Sequence, residues 1–194
     1  MLFTIFQVTP LLIICWHTFN RTVLTGNPGW ILDKDGDCKF FTTSNYENRI
    51  FTWSGDCIDG FTDGFGELRI FENGMEHYIY EGFISKGIIQ GHGKLIVLSD
   101  GDTYEGNYQN GKPHGSGHFY NDDGDHYLGN YANGMRSGNG TYWFPPESEL
   151  FKYVGEWKEG KENGKGTLFY RNGEKISGIF TDGILTKTFR KDSI

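Results

Sequence analysis

The feature that most limits what this chain can fold into is a glycine spacing that recurs five times. Gly106, Gly111, Gly115 and Gly117 are separated by 5, 4 and 2 residues. The same spacing joins Gly55/Gly60/Gly64/Gly66, Gly82/Gly87/Gly91/Gly93, Gly129/Gly134/Gly138/Gly140 and Gly155/Gly160/Gly164/Gly166. The first glycines of successive sets lie 27, 24, 23 and 26 residues apart, and a partial sixth set, Gly178 and Gly183, follows after another 23. A period of that length marks an array of small units that bury their faces only by stacking. The 194 residues are therefore read as one repeat structure without a single compact core.

Within the unit Asp102 to Asp125, Asn110-Gly111 and Asp123-Gly124 are tight-turn dipeptides that mark off two strands. Period-two alternation puts Tyr104, Gly106 and Tyr108 on one face of the first strand, and Gly115, Gly117 and Phe119 on one face of the second. A glycine inside a strand weakens it, so a regular array of them needs a reason. The expectation is close approach: three glycines per unit leave a Cβ-free slot in which an aromatic ring from a neighbouring strand lies flat. With 29 glycines and 16% aromatic residues, the composition is that of strands and turns.

These residues resemble a known unit. The segment YEGNYQNGKPHGSGHFYNDDG, Tyr104 to Gly124, is similar to the MORN repeat, and five copies plus a partial sixth cover roughly Phe51 to Ile184. The segment FTWSGDCIDGFTDGFGEL, with Cys38 upstream, further resembles the first repeat of exported bacterial MORN proteins. The resemblance implies an all-β fold, an elongated antiparallel meander of repeated β-hairpins. Trp53 and Ile176 replace the usual leading Tyr, Leu128 and Val154 replace the usual Glu, and Phe144-Pro145-Pro146-Glu147 lengthens one turn. Residues 26–50 read as an N-terminal cap, 51–184 as the array, and 185–194 as a C-terminal cap or a frayed tail.

Residues 1–25 differ from all that follows. Met1 to Trp16 carries no charge, and Pro10 to Trp16 has the length of a signal-peptide apolar region. The segment is read as an export signal, with an uncleaved anchor or a buried first strand as alternatives; without a signal the chain would stay cytoplasmic. Its removal takes Cys15 and leaves Cys38 and Cys57, an even pair that in an exported chain suggests a disulfide, the alternative being two buried thiols. Cys57 occupies the place of Tyr108 and Trp157, so it is expected to face inward. Cys38 reaches it if its segment runs antiparallel beside Phe51 to Cys57 and the Cα atoms come within about 7 Å.

The repeat is also an internal control on chemistry, because a catalytic residue should be singular while a scaffold position recurs with interchangeable occupants. Ser116, between two glycines, has Phe65, His92, Asn139 and Lys165 as equivalents and reads as a variable outward site. His114 and His118 would stand about 13 Å apart on a strand, too far to share an ion. Asp33, Asp35 and Asp37 lack the glycine and glutamate positions of a calcium loop. No catalytic residue, metal ligand or cofactor site is expected. The net charge of −7 argues against unaided nucleic-acid binding, which needs a concentrated basic surface.

One pattern passes this control. Ile96, Tyr120, Trp143 and Phe169, with Arg69 in the first unit, follow the second-strand core position and point away from the glycine face. Two readings stand: cross-strand pairing that stiffens the sheet, or a stripe that faces a ligand such as a peptide, another sheet or an acyl chain. The functional expectation is a non-enzymatic scaffold that binds a protein partner or itself. Phospholipid binding at a membrane surface is the alternative, disfavoured because Lys158, Lys161 and Lys165 alternate with Glu156, Glu159 and Glu162. A polymer-degrading enzyme would need paired acids across a cleft, and the sequence offers no such pair.

Overall fold

The computed structural model describes residues 29–42 and 49–192. The expected signal segment lies outside the described residues. The cap is a hairpin of β1 (Gly29–Leu32) and β2 (Lys39–Thr42). The array begins with β3 (Arg49–Trp53), β4 (Asp56–Ile58) and β5 (Phe61–Glu72); β3 and β4 pair with opposite ends of β5. Ten strands follow in chain order: β6 (Met75–Ser85), β7 (Ile88–Val97), β8 (Thr103–Gln109), β9 (Lys112–Tyr120), β10 (His126–Ala132), β11 (Met135–Trp143), β12 (Leu150–Lys158), β13 (Lys161–Tyr170), β14 (Lys175–Thr181) and β15 (Ile184–Asp192). From β5 to β15 each strand pairs antiparallel with the next, the expected meander of hairpins. Residues 185–192 form most of β15, which pairs with β14 in a sixth hairpin and ends the sheet.

The register explains the glycine spacing. Gly66, Gly82, Gly93, Gly106, Gly117, Gly129, Gly140, Gly155, Gly166 and Gly178 stand opposite one another in a single row across ten strands. A Cβ on Gly106 would lie 2.7 Å from the Tyr104 hydroxyl oxygen, and one on Gly117 would lie 2.6 Å from the same ring. Tyr80, Tyr127 and Tyr153 cover their glycine pairs in the same way, and Trp53 covers Gly55 and Gly66. The slot therefore differs from expectation in two respects. Its ring comes from the same strand, two residues before the first glycine, and arches over the paired glycine opposite.

Only two glycines of each set form the slot. Gly64, Gly91, Gly115, Gly138 and Gly164 have φ between +65° and +109° and mark a bulge in the second strand. At the turns, Asn110-Gly111 and Asn133-Gly134 have positive φ at both residues, the type I′ geometry that matches the twist of a two-residue hairpin. Lys86 and Glu159 hold the equivalent conformation without an asparagine, a case of tertiary context overriding local preference.

The bulge sets the core hydrogen bonding. In three hairpins it leaves Phe83, Asn107 and Glu156 without a register partner in their own hairpin. The carbonyls of these residues accept the hydroxyl protons of Tyr80, Tyr104 and Tyr153 at 3.0 to 3.1 Å. Trp53 keeps this bond by donating its indole N–H to the Asp56 carbonyl at 2.9 Å. The rings then continue from unit to unit. Tyr80, Tyr108, Tyr104, Tyr131, Tyr127, Trp157, Tyr153 and Phe180 meet edge to face in that order, with centroids 4.9 to 5.6 Å apart. This column is the core, and a single hairpin could not bury it alone.

At the start of the array Cys38 and Cys57 are bonded, with Cα atoms 5.9 Å apart. Their surroundings correct the sequence reading. Cys57 lies exposed on β4 and Cys38 is the buried partner: Tyr108, at the place equivalent to Cys57, packs between Tyr80 of the preceding hairpin and Tyr104 of its own, and among the described residues no hairpin of the glycine repeat precedes Trp53 to supply the outer ring. The cap also does not run antiparallel beside Phe51 to Cys57. It meets the array through parallel pairs, Lys39 with Phe61 and Asp33 with Phe51.

Candidate functional site

The inner face is filled by the chain's own rings, so the outer face is the surface on which side chains remain to be explained. Antiparallel pairing makes this face a grid. One row reads Arg69, Ile79, Ile96, Thr103, Tyr120, His126, Trp143, Lys152, Phe169 and Lys175, each opposite the next. The four residues singled out from the repeat, Ile96, Tyr120, Trp143 and Phe169, are all on it and half-buried.

They do not form a continuous apolar ladder. Equivalent positions of successive units stand two strands apart in a meander, so a residue of the intervening strand separates each pair: Thr103, His126 or Lys152. The signal for these three was present in the sequence, since each directly precedes a leading Tyr, at 104, 127 and 153.

Local contacts fix the row. The His118 ring lies 4.9 Å from Tyr120 and 6.1 Å from His126, and His126 lies 5.6 Å from Trp143. Partial burial lowers the affinity of His118 for a proton, and His126 adds to that while Glu105 opposes it. Lys152 places its ammonium 5.1 Å from the Phe169 centroid. Charge ends the row at both sides: Arg69 pairs with Glu67 and Glu76, and Lys175 with Asp192.

A second polar group, on the inner side, was not anticipated. The position two residues after each turn glycine is Thr62, Ile89, Pro113, Arg136 and Glu162, so the repeat control itself marks Arg136 and Glu162 as singular. The Arg136 guanidinium stacks on Tyr127, Tyr142 and Trp157, 4.5 Å from the last. Glu162 is buried, and desolvation holds its carboxyl above the ordinary glutamate value against the opposing charge of Arg136. Asp125 accepts the Tyr142 hydroxyl proton at 2.5 Å and is likewise raised by burial. Arg136 thus ties its hairpin to the next through Trp157, while the Asp125–Tyr142 bond stays within one hairpin.

The MORN repeat matches residues 80–96, 104–126, 127–148 and 153–175. Four stretches of this chain are thus similar to the MORN repeat. The flanking first and sixth hairpins lie outside the matched stretches, although Trp53 covers its glycines as the tyrosines do and Gly178 continues the glycine row. No curated protein matches the chain. Among solved structures it is similar to the SAS-4 (dCPAP) TCP domain of Drosophila melanogaster, solved in complex with a proline-rich motif of Ana2 (dSTIL). The two are 15% identical over 84% of this chain and 90% of that chain, with a TM-score of 0.29, a likeness too slight to extend the reading of the fold. MORN repeats are a repeat module generally linked to protein or membrane interaction.

Proposed function

We propose that this chain is an exported, non-enzymatic interaction scaffold that holds its partner on the outer face of the sheet. The observation that carries the reading is the half-exposed row of Tyr120, Trp143 and Phe169, presented by a sheet whose other face is already filled. A stiff row of aromatic anchors is the kind of surface from which a few residues supply most of a binding energy. A protein or a second copy of the chain is the partner class read from the sequence. The inner polar groups favour the non-enzymatic reading, since Arg136 is stacked on three rings and Glu162 is buried. Export draws support from the Cys38–Cys57 bond, because such bonds persist in oxidising compartments.

Size-exclusion chromatography with light scattering, followed by capture of partners on the immobilised chain, tests the reading. A self-associated species or a retained partner is expected, and Trp143→Ser should release it. A strict monomer that retains nothing would overturn the proposal. Membrane binding is the weaker reading, because Lys152 is the one ammonium among the ring-bearing strands of the row and Arg69 and Lys175 at its ends are paired with carboxylates. Co-sedimentation with anionic vesicles above the level seen with neutral ones would favour it.

A further inference from the structure

The outer row carries two alternations at once. Its rings, Tyr120, Trp143 and Phe169, come from the second strands of three hairpins, and His126 and Lys152 come from the first strands between them. Neighbouring strands lie about 4.8 Å apart, so the rings recur about every 9.6 Å and the basic groups recur with the same period, displaced by one strand. The next outer row over the same strands is His118, Leu128, Thr141, Val154 and Thr167. Neither row holds a carboxylate between β9 and β13, although the whole chain has a net charge of −7.

We propose that this face binds a linear glycan in which a uronate alternates with a neutral sugar, lying across the strands. The inference rests on the reading of the outer face as the binding surface and goes beyond it by naming a glycan as a ligand of that face. Each disaccharide of such a chain, in its extended form, spans close to two strand spacings. The C–H face of the neutral sugar stacks on a ring, and the carboxylate of the next sugar stands over His126 or Lys152, where it accepts a hydrogen bond from the imidazole N–H or a charge-assisted one from the ammonium. Lys152 leans on Phe169, so the last ring and the last free ammonium meet the ligand as one unit. The alternatives fit less well. An extended peptide repeats every two residues, about 6.8 Å, and drifts out of phase with the rings. An acyl chain offers nothing to the basic groups.

Calorimetric titration of the full chain with a hyaluronan oligosaccharide, in which glucuronate alternates with N-acetylglucosamine, tests the proposal. Saturable binding is expected, weakened about tenfold or more in Trp143→Ala and in Lys152→Gln. Trp143→Phe, which keeps a ring, and Phe65→Ala, on the outer face away from the row, should bind as the parent does; thermal melting of all four variants separates loss of binding from loss of fold. An uncharged cello-oligosaccharide of equal length should bind about tenfold more weakly or worse. Absence of hyaluronan binding, binding indifferent to both Trp143→Ala and Lys152→Gln, or equal binding of polyglutamate would overturn the inference. A protein partner released by Trp143→Ser, with no glycan bound, would sink the glycan assignment and leave the scaffold reading standing. Loss of both would sink the two together.

Discussion

The ring of Tyr104 stands edge to face against that of Tyr131, centroids 5.0 Å apart and planes at 86°, although the two residues belong to different repeats. Contacts of this kind join the hairpins into one column, and they make the stability of each unit depend on its neighbour. Tyr104→Ala should therefore cost about 3–5 kcal/mol, the range for removing a large buried ring, and broaden the urea transition by partly uncoupling the two halves of the array. A sharp transition at an unchanged midpoint would contradict this account of the core.

Two tyrosines of the column should respond in opposite directions to loss of the hydroxyl. Tyr104 donates its proton to the Asn107 carbonyl, so Tyr104→Phe should destabilise by about 1 kcal/mol. The Tyr108 hydroxyl is buried and has no hydrogen-bond partner among the described residues, so Tyr108→Phe should stabilise by about 1 kcal/mol. Chemical denaturation of the two variants side by side reads the sign directly.

Slot and turn glycines should tolerate different substitutions. Gly117 has ordinary φ but its Cβ would enter the Tyr104 ring, so Gly117→Ala should cost about 1–3 kcal/mol or more by overpacking. Gly134 has open space around it and a φ of +87°, so its penalty is one of backbone conformation. Asparagine, which adopts that region more readily than other side chains, should be the least harmful replacement at Gly134 and a severe one at Gly117. Equal effects of asparagine at the two sites would refute the division of roles.

Reduction of the Cys38–Cys57 bond should lower stability by about 3 kcal/mol on a chain-entropy account, given a separation of 19 residues. The loss should appear first in the cap. Hydrogen exchange of the Asp33 and Lys39 amides, which donate to Cys38 and Gly60 carbonyls, should accelerate on reduction while that of the Tyr127 and Tyr153 amides stays slow. Mass spectrometry of secreted material should show a chain lighter by two hydrogens than the reduced form.

Glu162 should give the array a measurable pH dependence. Burial raises its folded-state pKa, so its contribution to stability is fully present below the unfolded value, about 4.3, and is lost as pH rises through the higher folded value. Glu162→Gln removes that loss. Urea unfolding across a pH series should show the variant gaining on the parent from about pH 4.3 upward, with no gain below it; a gain confined to acid pH would have the wrong sign.

Much of this fold was legible in the sequence because its code is local. Turn glycines, period-two alternation and the recurrence of both are properties of neighbouring residues, and they identified hairpins, their order and their inward faces from Tyr80 to Phe180. What the sequence could not determine was which atoms the glycines make room for. That depends on register: the pairing of Gly106 with Gly117 beneath Tyr104, and the bulge that presents the Asn107 carbonyl to its hydroxyl. The same holds for the candidate site. Ile96, Tyr120, Trp143 and Phe169 were found by aligning repeats, but His126 and Lys152 join them only because antiparallel pairing interleaves first and second strands. Cys57 shows the limit most directly: its equivalents Tyr108 and Trp157 are buried between rings of two successive units, and the first unit lacks such a neighbour before it, so place in the array and not the local pattern leaves Cys57 exposed.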